Sequence, residues 1–143
     1  MRRRLFLKTT FARVAALFAA GFLGCKDAVT RRRIVLGSGV DFEQGVTFVD
    51  SKRVFLYKRA QGGVTEYSAV SAVCTHQSCL LQRAANEFRC PCHGARFDSR
   101  GQVLQGPAVE PLPWLKLALE DGQLVLLPDQ RVDPSWVLRV AKS

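Results

Sequence analysis

At 143 residues with a formal net charge of +9, the chain has room for one domain, and an apolar content of 48% is enough for one packed core. Nine of the 21 Lys and Arg (Arg2, Arg3, Arg4, Lys8, Arg13, Lys26, Arg31, Arg32 and Arg33) lie in residues 1–33 beside a single acid, Asp27. The rest of the chain is nearly neutral, which leaves no basic face for DNA or RNA and excludes nucleic acid as a partner.

Residues 1–25 read as an address rather than as part of a fold. Arg2-Arg3-Arg4-Leu5-Phe6-Leu7-Lys8 precedes a run from Thr9 to Leu23 that is apolar apart from Thr9, Thr10 and Arg13, the charged-then-apolar order of an export signal. Arg3-Arg4-Leu5-Phe6-Leu7-Lys8 resembles the bacterial twin-arginine signal at every fixed position, and that pathway carries folded proteins. Phe11 to Leu23 is shorter than the roughly 20 residues of a spanning helix, and extending it back to Leu5 takes in Lys8 and Arg13. Phe22-Leu23-Gly24-Cys25 resembles a lipobox, which would place a lipid on Cys25. A retained anchor and a lipid lead to the same expectation, a domain tethered to the bacterial cell membrane on its periplasmic or extracellular side. Residues 26–33 are the expected basic tether, and 34–143 the expected domain.

Within that domain, Ile34 to Leu36, Gly45 to Val49, Val54 to Lys58 and Thr65 to Val70 are short, rich in β-branched and aromatic residues, and separated by Gly, Asp or Ser. They are predicted strands. Leu115 to Leu119 alternates, Glu120-Asp121-Gly122 supplies a turn and Gln123 to Leu127 returns, which predicts a hairpin. Phe88, Phe97, Trp114 and the alternating leucines are expected in the core.

Between these halves, four of the five cysteines and both histidines fall into two boxes, Cys74-Thr75-His76-Gln77-Ser78-Cys79 and Cys90-Pro91-Cys92-His93-Gly94. Each box offers one Cys and one His at short spacing and one further Cys, so two loops can each contribute a thiolate and an imidazole to a shared centre. Two readings follow from residue types alone. Two Cys and two His suit a structural zinc, which leaves two cysteines unused. A disulfide framework leaves both histidines unexplained.

The pair C-x-H-x-x-C and C-P-C-H-G resembles the ligand boxes of the Rieske iron–sulfur family, and Phe97-Asp98, Gly101-Gln102-Val103-Leu104 and Gly106-Pro107-Ala108 extend the likeness. The resemblance implies an all-β fold of stacked antiparallel sheets with one [2Fe–2S] cluster at a tip. By position, Cys74 and Cys90 would bind one iron and His76 and His93 the other, while Cys79 and Cys92 would form a disulfide. Gly106-Pro107-Ala108, Pro111 and Pro113 would form a loop covering the cluster.

Two thiolates and two neutral imidazoles cancel the charge of an oxidised cluster, so adding an electron is easier than to an all-Cys centre. Reduction makes the outer ring nitrogens of His76 and His93 more basic, so these two residues would couple a proton to the electron. That suits a hydroquinone donor. The implied function is electron transfer, as iron–sulfur subunit of a membrane quinol–cytochrome c oxidoreductase with cytochrome b and a c-type cytochrome as partners. The other reading is an exported carrier or small subunit serving a different oxidoreductase. High-potential family members usually carry Ser and Tyr where this chain has Ala95 and Phe97, which predicts a lower potential. Ser78 stands where the first box more commonly has Gly, a change expected to bear on the loop's conformation.

Overall fold

A computed structural model of the chain describes residues 32–141. The expected export signal, the anchor and Cys25 lie outside these residues. Eleven strands are formed: β1 Ile34–Ser38, β2 Gly45–Val49, β3 Val54–Gln61, β4 Val64–Ser71, β5 Gln82–Ala84, β6 Glu87–Arg89, β7 Arg96–Asp98, β8 Val103–Gln105, β9 Trp114–Glu120, β10 Gln123–Val132 and β11 Leu138–Ala141. All pairings are antiparallel. The fold is all-β, as the sequence led us to expect.

Seven strands form a base sheet in the order β1-β10-β9-β4-β3-β2, with β11 paired to the first half of β4 and β9 to its last residues. Asp121 and Gly122, with φ of +49° and +76°, make the two-residue turn between β9 and β10, where Glu120 pairs with Gln123. Left-handed geometry at both positions matches the right-handed twist of the strands, and Asp-Gly adopts it readily. The expected end of the returning strand at Leu127 coincides with an irregularity. Pairing with β9 jumps from Leu127 to Arg131, past Pro128, which has no N–H for the ladder.

The apolar run Val54-Phe55-Leu56 on β3 is buried on both faces. Val54 and Leu56 pack with Tyr67, Ala69, Leu115, Leu117, Leu124 and Leu126 inside the base. Phe55 turns the other way and joins Val70, Ala72, Phe88, Phe97, Ala108, Leu112 and Trp114. A strand that serves two cores reads as a continuous apolar run rather than an alternating one. Phe88, Phe97 and Trp114 are core residues, with exposures of 1%, 0% and 6%.

The second core lies under a four-stranded sheet, β5-β6-β7-β8. Gln82 pairs with Arg89, Arg89 with Arg96, and Arg96 with Gln105. This register brings the segment before β5, the β6–β7 connection and the segment after β8 to one end of the sheet. They hold the first box, the second box and the proline-bearing loop. Arg32 and Arg33, expected in the tether, lie against the base: the Arg32 N–H donates to Asp129 at 3.2 Å, and Arg33 forms an ion pair with Glu120.

Candidate metal centre

The two boxes have matching backbones. In the first, the Ser78 N–H donates to the Cys74 carbonyl at 3.0 Å and the Cys74 N–H to the Cys79 carbonyl at 2.8 Å. In the second, Gly94 donates to Cys90 at 3.0 Å and Cys90 to Ala95 at 2.8 Å. Each loop turns through a left-handed residue at its fifth position, Ser78 at φ +56° and Gly94 at +75°. Ser78 thus takes in the first loop the left-handed turn that Gly94 takes in the second. The cost is backbone strain, which for a non-glycine residue in this region is about 1–2 kcal/mol.

This geometry brings all six expected residues together across the loops in three pairs. Cys79 and Cys92 form a disulfide joining the boxes. Cys74 and Cys90 are free and buried, and their thiols are hydrogen-bonded to each other. Burial pushes the Cys74 thiol up from its ordinary range, and the Cys90 thiol adds to the rise. The backbone N–H groups of His76 and Gln77, which donate to Cys74, act in the opposite direction. The sulfurs of Cys79, Cys90 and Cys92 lie within 4.8 Å of one another, but a disulfide offers no thiolate, so this trio is not a ligand set.

The His76 and His93 rings stand perpendicular with centroids 4.9 Å apart. His93 is exposed, whereas His76 is half-buried. The Nδ1 atom of His76 is buried and has no hydrogen-bond partner. A buried polar atom without a partner is destabilising by about 1–3 kcal/mol, and coordination to a metal removes that penalty. Two buried free sulfurs and an unpartnered imidazole nitrogen in adjoining loops therefore fit an iron–sulfur cluster with mixed ligands.

Residues that sequence reasoning missed hold the loops to their surroundings. The Thr75 hydroxyl donates to the Glu110 carbonyl at 2.7 Å and ties the first box to the proline-bearing loop. The Gln105 side chain reaches the Gly94 carbonyl at 3.4 Å. Arg53, at the start of β3, donates to the Ser78 carbonyl at 2.7 Å. These are contacts between a side chain and a distant backbone carbonyl, and no residue type or spacing announces them. Ala95 and Phe97 are both 0% exposed and bring no hydroxyl to the site.

Residues 35–130 match the Rieske [2Fe–2S] domain family. The chain belongs to that family. Rieske domains carry one [2Fe–2S] cluster, and that is the cofactor of this chain. It is 35% identical over 81 residues to the cytochrome b6-f complex iron–sulfur subunit 1 of Trichormus variabilis, a match covering 55% of this chain and 45% of that protein. It is 44% identical over 61 residues to the cytochrome b6-f complex iron–sulfur subunit of Chlorobaculum tepidum, covering 41% and 34%. The matched stretch thus spans less than half the length of either relative. Among solved structures, the plasma membrane Rieske protein of Synechocystis PCC 6803 aligns with a TM-score of 0.41 and 28% identity, over 65% of this chain and 97% of that one. Among the described residues, no helix is long and apolar enough to cross a membrane.

Proposed function

We propose that this Rieske domain holds its cluster through Cys74 and Cys90 on one iron and His76 and His93 on the other, and that it carries electrons from a quinol to a c-type cytochrome. In this reading it is the iron–sulfur subunit of a cytochrome b-containing complex, tethered through the segment before Arg32 with the domain on the outer side of the bacterial cytoplasmic membrane. The observation that carries the ligand assignment is the buried, unpartnered His76 Nδ1 beside the paired Cys74 and Cys90 thiols. The quinol-linked role is supported by relatives that are cytochrome b6-f iron–sulfur subunits and by the disulfide between the boxes.

When bound, the cluster supplies a one-electron centre. The chain's own residues do the rest. Cys74 and Cys90, buried among Phe55, Phe88, Phe97 and Ala108, keep water from the sulfur side. His93, exposed at the tip, offers a ring edge that accepts a hydrogen bond from a docked hydroxyl and holds the proton that accompanies the electron. The disulfide and the Thr75–Glu110 bond hold that edge in place without help from the partner.

Purified protein should be coloured, with two irons and acid-labile sulfide per chain, and membranes lacking it should lose quinol-dependent reduction of cytochrome c. Colourless protein with one zinc and no acid-labile sulfide overturns the ligand reading. Unchanged quinol oxidation in membranes without the protein favours the second reading, an exported carrier for another oxidoreductase. The absence of hydroxyls at the buried positions Ala95 and Phe97 points that way, because it lowers the potential.

A further inference from the structure

Four non-glycine residues among those described have positive φ: Arg53, Ser78, Ala85 and Asp121. Ala85 and Asp121 sit in tight turns between paired strands, where such geometry is ordinary. Arg53 closes such a turn as well, the four-residue connection between the paired residues Val49 and Val54, whereas Ser78 lies in the first ligand box; the two are hydrogen-bonded to each other.

Arg53 is fixed by its backbone before its side chain is considered. It follows the one-turn 3-10 helix Asp50–Lys52, and its N–H closes that turn on the Asp50 carbonyl at 3.0 Å. Its own carbonyl accepts the Ala72 N–H at 2.9 Å, one step past the last β3–β4 pair, Val54 with Ser71. Arg53 therefore grips the chain two residues before Cys74. With φ at +55° its guanidinium reaches the Ser78 carbonyl, inside the first box and next to the disulfide cysteine Cys79. None of the four ion pairs among the described residues involves Arg53. Its charge is thus turned toward the loop rather than matched by a carboxylate.

We propose that Arg53 is a positioning residue for electron transfer: it holds the first ligand loop from outside, and its cation raises the reduction potential of the cluster. The proposal rests on the first box binding the cluster, as argued above. Reduction adds one negative charge, so a fixed cation nearby stabilises the reduced form more than the oxidised one. The hydrogen bond to the Ser78 carbonyl fixes where that cation sits against the loop.

The test uses the full chain with its cluster and three variants, Arg53→Met, Arg53→Gln and Arg53→Lys. Midpoint potentials are read by film voltammetry, and the electron paramagnetic resonance spectrum of the reduced cluster reports that the centre is intact. Arg53→Met and Arg53→Gln should fall below the parent potential, with Arg53→Lys between. The differences should shrink as salt rises from about 0.01 M to about 1 M, where the screening length drops from about 30 Å to about 3 Å. A role confined to structure would alter the melting temperature and leave no salt-dependent difference in potential. An uncharged variant that keeps the cluster spectrum at the parent potential in low salt overturns the proposal. Loss of the cluster from both uncharged variants but not from Arg53→Lys supports the need for a cation against Ser78. Absence of an iron–sulfur spectrum in the parent itself would instead remove the ligand reading on which this one stands.

Discussion

The aliphatic core of the base and the box-bearing sheet lie on opposite faces of β3, β4 and β9, and different forces hold each together. The base has strands of four to ten residues and a core made largely of Leu, Val and Ile. Each strand of the smaller sheet is three residues long. Phe88 and Phe97 anchor its middle strands in the second core, and the loops at its end are held by cross-links: the Cys79–Cys92 disulfide, the cluster ligands, and single hydrogen bonds from Thr75, Gln105 and Arg53 to loop carbonyls. The base is a scaffold stabilised by area. The boxes are held by connections, and these keep ligands in place while leaving one histidine edge open.

Truncation in the base should have the largest effect. Leu124 is 0% exposed within the aliphatic core, and Leu124→Ala should destabilise the whole domain by about 2–5 kcal/mol. Urea unfolding would show one lowered transition, and the potential of the folded fraction should stay where it was. A moved potential would mean that the two regions are mechanically coupled and would break the comparison.

The same contrast accounts for what the sequence reveals. Six of the base strands can be recognised because β-branched, aromatic or alternating apolar residues run between turn residues, as in Leu115 to Leu119 followed by Asp121-Gly122. Gln82–Ala84, Glu87–Arg89, Arg96–Asp98 and Val103–Gln105 are too short to show a period, and Ala85-Asn86 is not among the strong hairpin signals. β11 escaped notice because Leu138–Ala141 is only four residues long. The site is legible for the opposite reason. Cys and His are rare, and their close spacing stands out without any periodicity. The pairing of Cys79 with Cys92 came from family resemblance alone, and Arg53 is invisible in sequence because its contact spans 25 residues.

Removing the cross-link should come next in size. The disulfide spans 13 positions, and closing a loop of that length is worth about 3 kcal/mol in the chain-entropy account. Replacing Cys79 and Cys92 together by Ser should speed amide exchange in β5 to β8 and leave β9 and β10 protected. Equal loss of protection in both sheets would show that the small one has no separate stability.

A smaller change sharpens the comparison by acting on the potential. Ala95 follows the second box, and its carbonyl accepts the Cys90 N–H. In Ala95→Ser a hydroxyl enters beside the sulfurs, and a donor to a cluster that becomes anionic on reduction should raise the potential. One tenfold shift in the one-electron equilibrium corresponds to about 59 mV, the size expected for one such bond. Film voltammetry showing no upward movement would separate the missing hydroxyl from the potential.

The smallest expected effect concerns acid. On β6, Glu87 accepts from the Arg96 Nε of β7 at 3.0 Å and also pairs with Arg89, and its side chain is only 14% exposed. The Arg96 hydrogen bond, more than any other contact, holds the Glu87 carboxyl below its usual range. A depressed folded value means that the unfolded chain binds the proton first. The contribution is therefore complete above the ordinary Glu range near about 4.3 and is lost as pH falls through the folded value. The parent should melt above Glu87→Gln at neutral pH, and the gap should close in acid. A gap that stays constant as pH falls through the whole acid range would assign the effect to the shape of the side chain rather than to its charge.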